Sequence, residues 1–243
     1  LYSNLQTKGL YVYGRNFDLD NATADIRVEA EIRNEGKVPV SAQLRITLRR
    51  PDGSVAAIFD GAPATAAPTG RAVPPLSITP ADAYIPDEAV PGHYCPVEDE
   101  SLPAPTATDS MAVTVLHAGA DTLPLRFWSI DDPYLYTVEA ELFVNGEKTD
   151  AQQLTTGFRA VSYDKDRGLR INGAVQWLRG YAQRAANEWA AIGIAPEWLH
   201  DEDAALIRES NANPIRFLHV AGSPADVRAF DRRGIVCTQP AGD

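Results

Sequence analysis

Soft and metal-binding side chains are scarce: 243 residues hold two cysteines, one methionine and four histidines. Cys95 and Cys237 stand far apart, so a disulfide framework does not hold this chain together, and both read as free thiols. The cellular compartment stays open on this count. His93, His117, His200 and His219 have no i,i+3 or i,i+4 partner and no cysteine at zinc spacing, so no metal or other cofactor is expected. There is neither a G-x-S-x-G elbow nor a phosphate-cradling glycine loop. No apolar run approaches the roughly 20 residues that a membrane-crossing helix needs, so no membrane partner is expected. Basic residues are outnumbered, 22 against 33 acidic ones, for a net charge of −11. That balance argues against nucleic acid, whose phosphates need clustered Lys and Arg. It suits solubility, or a neutral or cationic small substrate.

The remaining composition is that of a folded protein: 44% hydrophobic and 23% charged, enough for a sizeable core in one large or two ordinary domains. Residues 8 to 57 are strand-rich. Ile26, Val28, Ala30 and Ile32 alternate against Asp25, Arg27, Glu29, Glu31 and Arg33, apolar on one face and charged on the other. Val40, Ala42, Leu44, Ile46 and Leu48 repeat the pattern. Asn34-Glu35-Gly36 and Pro51-Asp52-Gly53 mark turns, and a short strand follows at Val55 to Phe59. Such strands, polar on one face, are the unit of an antiparallel sandwich. Ten of the 18 prolines then fall between Pro63 and Pro105. Proline removes a ladder donor, so this stretch reads as an insertion at about 60–109 draped over the sandwich. Strands resume at Met111 to Leu116 and at Leu123 to Phe127.

From about residue 161 the pattern changes. Asp201 to Ser210 reads as a helix and Ile215 to Val220 as a strand. Ser223-Pro224-Ala225-Asp226 is a helix start, with Ser223 as N-cap and Asp226 reaching back in a capping box. Gly234 ends that helix, and Ile235 to Thr238 is the next strand. Strand and helix in alternation mean parallel βαβ units. The expected fold is therefore mixed β and α/β: a sandwich over 1–160, then an α/β segment over 161–243. Trp177 and Trp198 read as core residues.

The stretch from 126 to 180 carries the most specific succession. It runs Arg126-Phe127-Trp128-Ser129, then Asp132-Pro133-Tyr134-Leu135-Tyr136-Thr137-Val138, then Gly157-Phe158-Arg159, Ile171-Asn172-Gly173 and Arg179-Gly180. Asn145-Gly146 is a hairpin turn within it. In this order the motifs are similar to those of glycoside hydrolase family 2, the β-galactosidases, β-glucuronidases and β-mannosidases. The resemblance implies an immunoglobulin-like β-sandwich followed by an incomplete (β/α) barrel segment of about three strands, the first ending in Arg179-Gly180. The chain starts at Leu1 and reads as an internal piece of a longer polypeptide.

The resemblance also implies an activity, retaining hydrolysis of a β-glycosidic bond, of β-galactosidase type, with a carbohydrate as partner. Its two catalytic glutamates, and any divalent or sodium ion beside them, would lie beyond Asp243, so no residue present is assigned as catalytic. Asn213-Pro214-Ile215-Arg216-Phe217-Leu218-His219 matches the end of the second barrel strand, which implies that Arg216 and His219 border the sugar. Residues three apart on a strand face opposite ways, so the strand must end or twist between them. The rival reading for Arg216 is a barrel-floor ion pair, and for His219 a structural histidine. The first βα loop departs from the family pattern: Arg184 stands near a usual histidine, and Asn187, Glu188 and Trp189 are the loop's candidates for sugar contact or for plain packing. A non-catalytic carbohydrate-binding or interaction module is the rival function, and a homo-oligomer is left open.

Overall fold

The computed structural model describes residues 9–68, 84–86, 94–96, 113–184, 195–218 and 221–239. Its first five strands are β1 (Leu10–Asp18), β2 (Thr23–Ile32), β3 (Val40–Arg49), β4 (Val55–Asp60) and β5 (Ala64–Ala66). β6 (Tyr84–Pro86) and β7 (Tyr94–Pro96) pair with each other. β8 (Thr114–Pro124), β9 (Tyr136–Val144) and β10 (Glu147–Thr156) follow. They build two antiparallel sheets, one in the order β1-β2-β8 and the other β10-β9-β3-β4, with β5 added to β3. The expected period-2 pattern explains the packing. Ile26, Val28, Ala30 and Ile32 meet Leu44, Ile46 and Leu48 and then Val138, Ala140 and Leu142 in one buried core. Burying each Leu, Ile or Val here contributes about 1.5–3 kcal/mol relative to exposure. The Asn145-Gly146 turn has φ of 51° and 88°, the left-handed pair that closes a two-residue hairpin.

The sequence suggested two strands at 111–116 and 123–127, where the structure has one continuous β8. The apolar alternation lapses at Gly119 to Asp121, but backbone pairing with β2 continues through a shift in register. Gly119 leaves room there for the Arg27 side chain. Just past Pro124 the Leu125 amide still donates to the Ala22 carbonyl at 2.9 Å, and the pairing ends there because β2 begins at Thr23, after Ala22 in a left-handed turn of φ 51°. Most of the proline-rich stretch, and with it the expected insertion, lies outside the described residues.

After β10 the chain forms a small antiparallel sheet, β11 (Val161–Asp164), β12 (Gly168–Ile171) and β13 (Ala174–Val175), with Asn172-Gly173 at a left-handed turn of φ 50° and 78°. A parallel sheet comes next: β14 (Tyr181–Gln183), α1 (Glu197–Glu209), β15 (Pro214–Phe217), α2 (Pro224–Arg233) and β16 (Val236–Thr238), in the strand order β14-β15-β16. α2 has the expected cap at both ends. The Ser223 hydroxyl accepts from the Asp226 amide, the Asp226 carboxylate accepts from the Ser223 amide, and Gly234 closes the helix at φ 69°.

Three expectations need correction. Arg179-Gly180 precedes the first parallel strand instead of ending it. A Cβ at Gly180 would run into the carbonyl and ring of Pro214, so glycine is what lets β14 enter beside β15. α1 begins at Glu197, four residues before the expected start, because Leu199 and His200 are buried on the same face as Ala204 and Ile207. Trp177 and Trp198 are not core: they are 79% and 65% exposed. Trp198 lies on the outer side of α1, and Trp177 leaves its carbonyl, not its ring, as the group held by Asn213.

Trp128 is the buried hub where the sandwich meets the rest. Its amide donates to the Phe158 carbonyl at 2.9 Å, and its carbonyl accepts from the Asn172 side chain at 2.9 Å. Its indole N–H donates to the Asp231 carbonyl of α2 at 2.8 Å. The Arg159 guanidinium sits over its ring, 4.5 Å from the centroid, a cation–π contact. Gly157 is required beneath it, since a Cβ there would clash with the indole.

Candidate active site

In a parallel sheet, residues in register share a face. Ala182, Arg216 and Thr238 are in register across β14, β15 and β16. Their neighbours on β15, Ile215 and Phe217, point the other way and are buried with Ala204, Ile207, Ala229 and Phe230 from the two helices. Both helices therefore cover one face and leave Arg216 exposed on the other. Among the described residues, the helix-free face is closed at its N-terminal end, where Val236 packs against Trp128, Ile130 and Ile171.

Asn213 locks the N-terminal edge. Its side-chain oxygen accepts from the Arg179 amide at 2.8 Å, its amide group donates to the Trp177 carbonyl at 2.9 Å, and its backbone exchanges bonds with Arg179 and Val236. The asparagine of the Asn213–His219 motif is thus structural. A hollow of about 220 Å³ lies at this edge, lined by Arg179, Gly180, Tyr181, Ser210, Asn211 and Ala212. It is at the opposite end from the strand C-termini, where α/β proteins place their ligands.

At the C-terminal edge the Leu218 amide donates to the Gln183 carbonyl at 2.9 Å, and the Gly222 amide donates to the Gln239 side chain at 2.9 Å. β15 is Pro214–Phe217 and Leu218 is already out of it, so the strand is shorter than the expected Ile215 to Val220. Arg184 is exposed just past β14. Arg216 and Arg184 are thus the two candidate side chains seen at this end. Asn187, Glu188, Trp189 and His219 lie outside the described residues. Among the described residues no cluster of His, Cys, Asp and Glu could hold a metal ion, and no helix is long and apolar enough to cross a membrane.

Behind this rim is a buried pair that periodicity and motif spacing do not disclose. His200 Nδ1 lies 2.6 Å from the Asp226 carboxylate, and His200 Nε2 lies 3.1 Å from the Ala195 carbonyl. The other Asp226 oxygen accepts from the Ser223 amide at 2.8 Å and from its hydroxyl at 2.9 Å. The capping box is legible in the sequence, but the histidine that fills the remaining side of its aspartate comes from another helix. Two further groups are perturbed deeper in. Burial pushes the Asp231 carboxyl above the usual range, partly offset by the Arg159 charge. Burial, reinforced by the Asp231 charge, pushes the Cys237 thiol up to about 12.

Known proteins match this arrangement along its length. The model of the glycosyl hydrolases family 2 matches residues 97–159, the span that holds Trp128, β9, β10 and Gly157-Phe158-Arg159. A β-glucuronidase of Formosa agariphila is 31% identical over 241 residues, 99% of this chain and 20% of that protein. The structure of a β-glucuronidase from glycoside hydrolase family 2 superposes with a TM-score of 0.70 at 26% identity, over 100% of this chain and 21% of that one. Over its whole length the chain is similar to about a fifth of a glycoside hydrolase family 2 enzyme. Other family 2 relatives carry both sugar names. A β-glucuronidase of Bacteroides fragilis is 32% identical over half of this chain and 19% of its own length. A β-galactosidase of Thermoanaerobacter pseudethanolicus is 31% identical over 43% of this chain and 14% of its own. The chain spans about a fifth of the length of the first two curated relatives.

Proposed function

We propose that this chain is part of a retaining β-glycosidase, and that its parallel sheet begins a (β/α)8 barrel whose C-terminal edge faces the sugar. The reading rests on Arg216. An arginine exposed on the helix-free face of a parallel sheet, at the strand's C-terminal half, is where a barrel enzyme keeps residues for its substrate. Arg184 and the loop residues Asn187, Glu188 and Trp189 border the same edge in this reading, and His219 follows the second strand. A guanidinium suits an anionic or hydroxyl-rich sugar. The similarity to β-glucuronidases along the chain supports a β-glucuronide ahead of a β-galactoside as substrate. Retaining hydrolysis uses two carboxylates about 5–5.5 Å apart, one to protonate the leaving oxygen and one to attack the anomeric carbon. In this reading the described residues do not carry that pair, so the segment alone is expected not to turn over substrate.

The test is to assay the longest polypeptide that carries this segment, beside the segment itself, on aryl β-glucuronide, β-galactoside and β-mannoside. The expected result is hydrolysis with retained configuration by the longer protein and none by the segment. Inversion, failure on all three, or turnover by residues 1–243 would each defeat part of the reading. Binding of oligosaccharide without any turnover by the longer protein would favour a carbohydrate-binding module.

A further inference from the structure

We infer that His200 and Asp226 form a positioning clasp that ties together the ends of the first two βα loops. The inference rests on reading those loops as the sugar-facing rim. Three elements meet in the clasp. Ala195 lies at the end of the β14–α1 connection, two residues before α1. Ser223 ends the β15–α2 connection as the N-cap of α2. His200, in the first turn of α1, bonds to both. Its Nε2 faces the Ala195 carbonyl, and its Nδ1 faces the aspartate that holds the Ser223 amide and hydroxyl. The connections so joined carry Arg184, Asn187, Glu188 and Trp189 on one side and His219 on the other.

The chemistry makes the clasp specific. The Ala195 carbonyl can only accept, so His200 Nε2 carries a proton. A further proton lies in the short 2.6 Å contact between Nδ1 and Asp226. The side chains are buried, 5% and 3% exposed, and a buried polar group that loses its partner is costly. Neither ring nitrogen and neither carboxylate oxygen of the pair is left without a partner. Among the described residues, Asp203 on α1 and the Cys237 thiol on β16 face the charges of this pair, and the same two helices also carry Glu197, Asp201, Glu202, Arg228 and Arg232. Glu197 pairs with Arg228, and Asp201 with Arg232. Burial raises the Asp203 carboxyl, and His200 acts on it in the opposite sense. An ordinary interhelix contact would fasten α1 to α2 anywhere along their lengths. This one fastens their N-termini, where both loops arrive.

The test uses the full chain and two readouts. Amide exchange by NMR should show reciprocity. His200→Ala should speed exchange of the Ser223 and Asp226 amides about ten-fold, the effect of losing a hydrogen bond to a charged group. Asp226→Ala should do the same at Leu199 and His200. The β15 amides should hardly change in either. A strongly deshielded ring N–H resonance from His200 should be present in the parent chain and absent in Asp226→Ala. If His200→Ala does not fold, His200→Gln, which keeps a donor toward Asp226, should fold and show a smaller change of the same pattern. Loosening of only the mutated helix, uniform loosening of the whole α/β part, or survival of the deshielded resonance without Asp226 would overturn the clasp. No sugar enters these measurements, so the glycosidase reading stands or falls separately.

Discussion

The sandwich and the parallel sheet solve the same burial problem to different degrees. Each sandwich sheet turns its apolar face to the other, so Ile26, Leu44, Ile46 and Val138 are all lost from solvent. The parallel sheet has both described helices on one face. Tyr181 and Ile215 are in register on that covered face, yet Ile215 is 1% exposed and Tyr181 53%. The difference is position: β15 is central, and β14 is an edge with no further strand beside it among the described residues. Parallel sheets are stable when both faces are covered, and an open edge with apolar residues invites further pairing. On this account one region holds itself together, and the other leans on Trp128 and the residues around it.

The largest expected effect follows from that dependence. Trp128→Ala removes a buried aromatic and leaves the Asp231 carbonyl and Arg159 without their ring partner, at about 3–5 kcal/mol. Urea unfolding should split into two transitions, with the α/β part melting first and the sandwich nearly unchanged. A single transition lowered as a whole would mean that the regions form one cooperative unit. Gly234→Ala should come next. It forces a left-handed residue to carry a Cβ that would clash with the Ile130 carbonyl, at about 1–3 kcal/mol. Its cost should again fall on the α/β transition; an unchanged melting temperature would contradict the close approach.

Asp231→Asn should give a smaller change of opposite sign. Burial raises this carboxyl in the folded state, so ionising it costs more folded than unfolded. Stability from this group is full below the unfolded value of about 3.9 and falls as pH rises through the folded value. The variant should therefore be more stable than the parent at pH 7 and equal to it near pH 3. A variant less stable at pH 7 would show that the Arg159 charge outweighs burial. The smallest effect should be at Arg45 and Asp60 on the outer sandwich face. They are bidentate but exposed, and solvent screens such a pair, so a double-mutant cycle should find little or no coupling. A larger coupling would mean that the outer face contributes to sandwich stability beyond its core.

What was legible in the sequence follows the same division. Period-2 alternation marked β2 and β3, and Asn145-Gly146 marked the turn between β9 and β10, because local stereochemistry decides those features. The α2 cap was legible for the same reason. Features set by distant neighbours were not. Gly180 is glycine because of Pro214, 34 positions on, so Arg179-Gly180 read as a strand end when it is a strand start. The tryptophans read as core by residue type, yet Trp177 and Trp198 are outside, and only the position of Asn213 and the helix face explain this. Of the candidate site, the strand-end motif led to Arg216, whereas nothing in the spacing of His200 and Asp226 foretold their contact.

The contrast between a self-sufficient sandwich and a dependent parallel sheet is tested most directly by amide hydrogen exchange on dilute, verified monomer. Amides in β2 and β3 should be slow, and those in β14, β15 and β16 at least about ten-fold faster, since opening them exposes only a half-covered sheet. Equal protection in the two regions would contradict the account.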